Sequence, residues 1–186
     1  MGEHQALAAE ADVTGIDADY RARCAEDSDI SLHLPFLYEN AQGRTVIELG
    51  VRSGNSTAAF LAAGADVWSA DTEEPQVPAE WRGNPRWHFL RGDDMHPAVR
   101  AALPAEADIV FIDTSHTYEH TLAELRAYAP RARLLVLLHD TQWMNGTDTG
   151  TPAGDVARAL DDYCAETGFS WVNRPGSYGL GVLVTA

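Results

Sequence analysis

The sequence predicts an α/β fold, a single domain built on a doubly wound, mostly parallel sheet with helices on both faces. Short apolar segments alternate along the chain with segments of helical period, and strands that alternate with helices form a parallel sheet. The last two apolar segments are joined by a Pro175-Gly176 turn instead of a helix, which predicts an antiparallel hairpin at the edge. We therefore expect a seven-stranded sheet.

Length and charge exclude several classes of protein. The chain has 186 residues, which suit one domain, and a net charge of −15 from 13 basic and 28 acidic residues. Such a surface repels nucleic acid and anionic membranes, so neither is an expected partner. No membrane span or signal peptide is recognisable, so we expect a cytoplasmic protein. Two cysteines, Cys24 and Cys164, make neither a disulfide framework nor a zinc site.

The first part of the chain is expected to precede the core. Residues 1–28 are interpreted as a leader and an N-terminal helix. Residues 29–43 are interpreted as a lead-in helix, because apolar residues recur there at helical spacing and Pro35 suits a first turn. Gly43 ends this helix, and the core is expected over residues 44–186.

The core is predicted element by element from its apolar pattern. Val46 and Ile47 mark the first strand, and the helix after it ends at Gly64. Further strands are expected at 66–70, 87–91, 108–112 and 134–138, helices at 96–103, 118–129 and 154–167, and the hairpin at 169–173 and 178–185. A polar loop is expected at 142–151.

The stretch 45–57 contains a strand, a glycine turn at Gly50 and a helix start at Gly54. Free backbone N–H groups at such a helix start meet an anion or a polar ligand. The side chains that suit the helix start are Ser53, Asn55, Ser56 and Thr57. Glu48 adds a carboxylate, which favours a cationic or hydroxyl-bearing ligand over a bare pyrophosphate.

Acidic residues end or follow each of the first five predicted strands. They are Glu48, Asp71, Asp93 with Asp94, Asp113, and Asp140 after His139. Ligands bind outside the carboxyl ends of the strands in an open α/β sheet, so we expect these side chains to converge on one rim. Asp71 follows the glycine turn at the spacing at which an acid meets a ribose. Helix capping is the alternative for any one of them, Asp113 in particular.

Asp113, His116 and Asp140 predict acid–base or metal chemistry. His116 follows Asp113 by three residues, so both can face one pocket. With Asp140 from the neighbouring strand, Asp113 can hold a hard divalent cation such as Mg²⁺. The general base is His116 or His139, because imidazole titrates near neutral pH. The alternative for either histidine is a structural, hydrogen-bonded role.

Three motifs carry a family resemblance: Glu48-Leu-Gly-Val-Arg-Ser-Gly-Asn-Ser-Thr57, Phe111-Ile-Asp-Thr-Ser-His-Thr-Tyr118 and Leu138-His-Asp-Thr141. Together they resemble class I S-adenosylmethionine (SAM)-dependent methyltransferases, in particular the small bacterial group that is similar to macrocin O-methyltransferase and cephalosporin-hydroxylase-like proteins. The resemblance begins near Asp29 and implies a Rossmann-like fold that binds SAM.

The resemblance also implies roles for the rim. Glu48 and Gly50 would face the amino-acid end of SAM, Asp71 its ribose, Asp93 or Asp94 its adenine, and Asp113 the reaction side. The full expected cofactor set is Glu48, Gly50, Ser53, Gly54, Ser56, Thr57, Asp71, Asp93, Asp94 and Asp113.

Related metal-dependent members carry acids at the positions of Asp113 and Asp140. More distantly similar catechol O-methyltransferases carry a basic residue where His116 stands. The chain departs from these patterns at Arg52, where a glycine is common, and at His139, where an acid often completes the metal site. The third metal ligand is then His139 or Thr141.

We therefore expect SAM-dependent O-methylation of a small hydroxylated metabolite, a sugar or a phenol of specialised metabolism. His116, His139 and Asp113 are the expected catalytic residues, and Mg²⁺ is expected at Asp113, Asp140 and His139. The alternatives are a metal-independent N-methyltransferase, a catalytically silent SAM-binding protein and an NAD-dependent dehydrogenase. Glu48 and the imperfect glycine pattern disfavour the dehydrogenase.

Two segments are the expected walls of the acceptor pocket. They are residues 29–38, with His33, and residues 142–151, with Trp143 and Met144. The chain has no separate substrate domain, so a second subunit, in a homodimer, is expected to help cover the site.

Overall fold

Strands and helices alternate in the computed structural model, which describes residues 15–184. The strands are β1 (Thr45–Leu49), β2 (Asp66–Asp71), β3 (Trp87–Arg91), β4 (Ala107–Ile112), β5 (Ala132–His139), β6 (Trp143–Met144), β7 (Thr147–Asp148), β8 (Trp171–Arg174) and β9 (Leu180–Val184). The helices are α1 (15–25), α2 (Leu34–Ala41), α3 (Asn55–Ala62), α4 (Pro97–Ala102), α5 (Tyr118–Tyr128) and α6 (Gly154–Thr167). The predicted leader at 1–14 lies outside the described residues.

The main sheet has seven strands in the order β3-β2-β1-β4-β5-β9-β8. Strands β1 to β5 pair in parallel, whereas β9 pairs antiparallel with both β5 and β8. The predicted fold class is confirmed, including the antiparallel hairpin at the C-terminal end. The direction of winding reverses between β1 and β4, and this reversal is where open α/β sheets bind their ligands.

Each face of the sheet packs against its own set of helices. Val46 and Phe111 face the cluster that includes Phe60 of α3, and Ile47 and Val110 face the cluster that includes Leu125 of α5. Successive residues of a strand point to opposite faces. The central strands are therefore apolar on both faces, as expected for a parallel sheet that is covered on both sides.

Several element boundaries differ from the expectation by one or two residues, and two of the differences lie beside the site. Strand β5 runs to His139, beyond the predicted end at 138, because its last residues pair with β9, with His139 opposite Leu180. The predicted polar loop at 142–151 contains a small hairpin of β6 and β7, in which Trp143 pairs with Asp148. Short polar strands of this kind have too few residues for a recognisable alternation.

None of the described helices has the length and apolar character that a membrane span requires. Cys24 and Cys164 are both free thiols.

Candidate active site

A cleft of about 440 Å³ lies at the carboxyl ends of β1, β2, β3 and β4. We call it the main cleft, and its walls include Gly50, Asp71, Asp93, Asp94 and Asp113. Four of the predicted acids therefore converge on one rim. A smaller cavity of about 70 Å³, the side chamber, shares Gly50 and Asp113 with the main cleft and is closed by residues such as Ser53, Asn55 and His116.

Gly50 allows the ends of β1 and β4 to come close together. Its φ is +87°, and a Cβ atom at this position would lie 1.9 Å from the backbone oxygen of Asp113. Only glycine suits this position, because it adopts a positive φ without strain and has no Cβ atom to collide with Asp113. Gly50 therefore places the start of the glycine turn directly against Asp113.

Asp71 holds the glycine turn in shape. Its Oδ2 atom accepts hydrogen bonds from the backbone N–H groups of Val51, at 2.8 Å, and Arg52, at 3.0 Å. Its Oδ1 atom accepts from the backbone N–H of Glu73 at 2.9 Å. Asp71 lines the main cleft at the position expected for a ribose contact, and its carboxylate is also the anchor of the turn.

Glu48 does not line the cleft, contrary to the expectation that it faces a ligand. It is fully buried, and it accepts hydrogen bonds from Ser56 at 2.6 Å, from Thr57 at 2.9 Å and from Ser69 at 2.6 Å. Burial raises the pKa of Glu48 to about 7, although these hydroxyl groups oppose the rise. Glu48 shares the strand face of Val46, and it lies beneath the start of α3.

Other residues that were expected to contact the cofactor are also directed away from the main cleft. Thr57 is fully buried against Glu48, and the Ser56 hydroxyl is directed to Glu48 even though Ser56 borders the side chamber. Gly54, with φ +74°, begins α3 against Val77 and Trp81 instead of the cleft. Of the expected residues at the helix start, Ser53 borders the side chamber without such a partner.

Asp113, His116, His139 and Asp140 form one cluster, although they follow two different strands. The Nε2 atom of His116 lies 2.8 Å from Asp140 Oδ2 and 3.3 Å from Asp113 Oδ1. The Nδ1 atom of His139 lies 3.0 Å from Asp140 Oδ2 and 3.6 Å from Asp113 Oδ2. The sequence interpretation grouped these four residues, and the parallel pairing of β4 with β5 brings the two segments that carry them together.

His139 is a buried cation and not a free base. Its Nε2 atom lies 2.9 Å from the backbone oxygen of Ser177 and 3.0 Å from that of Asp29, and both oxygens only accept hydrogen bonds. Its Nδ1 atom faces carboxylates, so both nitrogens bind protons. Burial opposes this charge, but Asp113 and Asp140 outweigh it and raise the pKa of His139 well above its usual value. The expected role of His139 as a general base does not match this position.

His116 is the histidine of the cluster that lines the side chamber, and its side chain is 25% exposed. Burial opposes its protonation, but Asp113 and Asp140 raise its pKa to about 9. No described residue hydrogen-bonds its Nδ1 atom. The ring of Trp143 lies beside it, with centroids 5.6 Å apart. His116 therefore combines a carboxylate-oriented Nε2 with an unengaged Nδ1.

A family profile described as a methyltransferase domain matches residues 47–141, which include β1 to β5 and the whole acid–histidine cluster. The chain belongs to this family. The match ends at Thr141, immediately after Asp140, so the two cluster acids lie within the methyltransferase domain.

Solved structures share the fold of this methyltransferase domain. A protein of Corynebacterium glutamicum is 22% identical, with a TM-score of 0.68 over 92% of this chain and 90% of that one. An O-methyltransferase from Bacillus cereus, in complex with S-adenosylhomocysteine (SAH), is 14% identical, with a TM-score of 0.62 over 95% and 91%.

An N-methyltransferase has the same fold. It is 1,6-didemethyltoxoflavin-N1-methyltransferase from Burkholderia thailandensis, with bound 1,6-didemethyltoxoflavin and S-adenosylhomocysteine, and it is 15% identical, with a TM-score of 0.60 over 99% and 89%. No curated protein sequence matches the chain significantly.

The expected pocket walls of the methyltransferase are placed only in part. Asp29 and Ile30 line the side chamber, but His33 is buried, with its Nε2 atom 2.8 Å from the backbone oxygen of Gly176. Trp143 lies beside His116, whereas Met144 is exposed.

The sequence interpretation missed His120 and Glu124 of α5. His120 lines the main cleft, and its Nε2 atom lies 3.3 Å from Asp94 Oδ1 and 3.4 Å from Glu124 Oε1. Their i,i+4 spacing was the available signal, because residues four apart share one helix face.

Proposed function

We propose that this methyltransferase transfers the methyl group of SAM to a hydroxyl group of a small polar molecule. The observation that carries the proposal is the position of His116, which lines the side chamber and is held by Asp140 and by Asp113, a residue that also lines the main cleft. A hydroxyl is a poor nucleophile until its proton is removed, so O-methylation needs a base at this place.

The donor set of the main cleft fits SAM. Besides its own carboxylate, SAM presents a sulfonium, an ammonium, ribose hydroxyls and an adenine amine, and these four groups favour carboxylate partners. The cleft offers such partners in Asp71, Asp93 and Asp113. A dinucleotide would bring a pyrophosphate, which this acidic lining repels. The SAH-bound relatives of the same fold support the same cofactor.

His116 is proposed to accept the proton of the acceptor hydroxyl at Nδ1. Its Nε2–H donates to Asp140 Oδ2, which fixes the ring and its tautomer, as a carboxylate does in a carboxylate–histidine pair. Asp113 adds a second carboxylate beside the protonated ring. SAM, when bound, would supply an electrophilic methyl group on its sulfonium and would leave as the neutral thioether SAH, while His116 Nδ1 takes the proton of the acceptor hydroxyl.

The acceptor is proposed to approach from a groove of about 750 Å³ that adjoins the side chamber, lined by residues such as Arg23, Glu26, Asp27, Ser177 and Tyr178. Because the lining is polar and charged, it supports a sugar acceptor over a phenol, in agreement with the resemblance to macrocin O-methyltransferase. The expected second subunit would cover this groove, and light scattering in solution tests that expectation.

The predicted Mg²⁺ site remains a prediction. The carboxylates of Asp113 and Asp140 converge around His116 Nε2, so their oxygens suit a cation. His139 offers a nitrogen, and the Thr141 hydroxyl donates to Asn173 Oδ1 at 2.6 Å. Asp113, His139 and Asp140 each offer one ligand atom within 4.8 Å of those of the other two, but Mg²⁺ prefers oxygen to the imidazole nitrogen of His139. Full turnover in excess chelator would contradict the metal.

Release of SAH from a panel of sugar, phenol and amine acceptors tests the reaction. Titration calorimetry with SAM and with NAD measures cofactor binding separately. We expect His116→Gln to lower kcat about 100-fold or more while SAM affinity is kept. His96→Gln, an exposed histidine on the surface, is the matched control. Turnover in the wild type should rise from pH 7 towards pH 9 as His116 loses its proton.

The other outcomes are informative. An amine acceptor that His116→Gln methylates at the wild-type rate would indicate the N-methyltransferase alternative, because an amine needs less activation. SAM binding without turnover of any acceptor would indicate a silent protein. Binding of NAD and not of SAM would overturn the proposal.

A further inference from the structure

A second acid–histidine cluster lies on the α5 side of the main cleft. Asp94 follows β3, and His120 and Glu124 stand one turn apart on α5. One potential ligand atom of each residue lies within 4.8 Å of those of the other two. Asp94 and His120 line the cleft, so a small ion has access. The Asp113 cluster is separate and shares no residue with this one.

Two buried carboxylate oxygens of this cluster lack a hydrogen-bond partner among the described residues. Asp94 is 6% exposed and Glu124 is 0% exposed. Asp94 Oδ2 and Glu124 Oε2 are buried, and neither has a hydrogen-bond partner among the described residues. The Thr114 hydroxyl and His120 occupy the other oxygen of Glu124. Buried carboxylate oxygens without partners are costly, because the group has lost its hydration and gained nothing in exchange.

His120 alone cannot satisfy both carboxyl groups. One Nε2–H would have to serve Asp94 at 3.3 Å and Glu124 at 3.4 Å, which are long contacts for charge-assisted hydrogen bonds. It reaches one oxygen of each carboxyl group and leaves the other two. Asp94 and Glu124 also contact each other, and burial raises the pKa of Glu124 to about 8, so a proton shared between the two carboxyl groups competes for this position. A cation of higher charge between the three side chains would engage the same oxygens.

We propose that Asp94, His120 and Glu124 bind a divalent transition metal, and that the metal is Zn²⁺. One imidazole nitrogen with two carboxylate oxygens is a donor set that Zn²⁺ accepts, whereas Mg²⁺ prefers oxygen ligands alone. Three protein ligands leave a fourth position for water on the cleft side. The ion joins the loop after β3 to the first half of α5, which fixes the wall of the cleft beside Asp93. The inference does not depend on the proposed methyl transfer.

Equilibrium titration of metal-free protein with Zn²⁺ tests the inference. We expect the wild type to bind one Zn²⁺ at this cluster, and His120→Gln to weaken that binding at least about 100-fold, since even the loss of a residue that only supports a ligand costs 10–100-fold. His96→Gln is the control for a general histidine effect, and its affinity should be unchanged. Glu124→Gln, nearly isosteric, should weaken binding as well.

Two readouts locate the ion independently of catalysis. Co²⁺ in place of Zn²⁺ should give visible absorption bands that His120→Gln removes and Asp113→Asn retains. Zn²⁺ should raise the melting temperature of the wild type and not that of Glu124→Gln, because a ligand that binds only the native state stabilises it. Absence of binding to the wild type would overturn the inference. So would binding that His120→Gln and Glu124→Gln retain and Asp113→Asn abolishes.

Discussion

The imidazole of His116 lies 2.8 Å from the carboxylate of Asp140, and this contact joins the segment after β4 to the segment after β5. Both residues have left-handed backbone, with φ of 53° and 63°. Neither is a glycine, so each conformation costs about 1–3 kcal/mol. Such strain persists only where the surrounding structure fixes the backbone. Here the strained backbone directs the side chains of His116 and Asp140 towards each other.

Replacement of Asp140 by Asn tests whether this contact orients the base. We expect kcat for a hydroxyl acceptor to fall about 10- to 100-fold, because the amide no longer stabilises the protonated ring of His116. SAM affinity should stay near the wild-type value, since Asp140 lies outside the main cleft. Steady-state kinetics and calorimetry measure the two effects. Glu119→Gln removes an exposed charge from α5 as a control, and equal losses in both variants would contradict the assignment.

Asp71 is expected to contribute to both stability and cofactor binding. Asp71→Ala leaves the N–H groups of Val51 and Arg52 without their acceptor, so we expect the free energy of unfolding to fall by about 1–3 kcal/mol. SAM affinity should fall as the turn loosens. Asp71→Asn keeps one acceptor oxygen and should lose less. Urea denaturation and calorimetry with SAM provide the comparison, and an unchanged SAM affinity in Asp71→Ala would refute the second role.

Glu48 is expected to make the stability of the protein depend on pH. Its pKa is raised from 4.5 to about 7 in the folded chain by burial, so between these values the unfolded chain loses the proton and the folded chain keeps it. Stability from this group is fully present below pH 4.5 and is lost as the pH rises towards 7, by about 3 kcal/mol in total.

Glu48→Gln isolates that contribution, because glutamine is neutral at every pH and can still hydrogen-bond Ser56, Thr57 and Ser69. We expect the difference in unfolding free energy between pH 5 and pH 8 to be smaller in the variant than in the wild type. Urea denaturation at the two pH values measures it. Equal pH dependence in both proteins would mean that Glu48 titrates as an ordinary acid.

Gly50 and Gly43 form a matched pair for testing the close approach of β1 and β4. Both have positive φ, but a Cβ at Gly43 meets nothing within 4 Å, whereas one at Gly50 meets the backbone of Asp113. We expect Gly43→Ala to cost about 1 kcal/mol of backbone strain. Gly50→Ala should cost more than about 4 kcal/mol, because backbone has to move. Thermal unfolding of the two variants measures the difference. Similar melting temperatures would contradict the close contact between Gly50 and the backbone of Asp113.

The sequence by itself determined the architecture. Alternation of apolar strands with helical segments led to the seven-stranded sheet, and Pro175-Gly176 led to its antiparallel end. These are local signals, because hydrophobic period and turn residues act within a few positions of the chain. The convergence of Asp71, Asp93, Asp94 and Asp113 on one cleft also followed, since parallel strands end at one edge.

Only the tertiary structure decided what each polar side chain does there. Glu48 was interpreted as a ligand contact, but Ser69 from the neighbouring strand and the start of α3 enclose it. His139 was a candidate base, but backbone oxygens of Asp29 and Ser177, far away in the chain, fix its protons. His120 meets Asp94 only because α5 packs beside the end of β3. Protonation and ligation depend on partners that a distant part of the chain supplies, and no local pattern contains them.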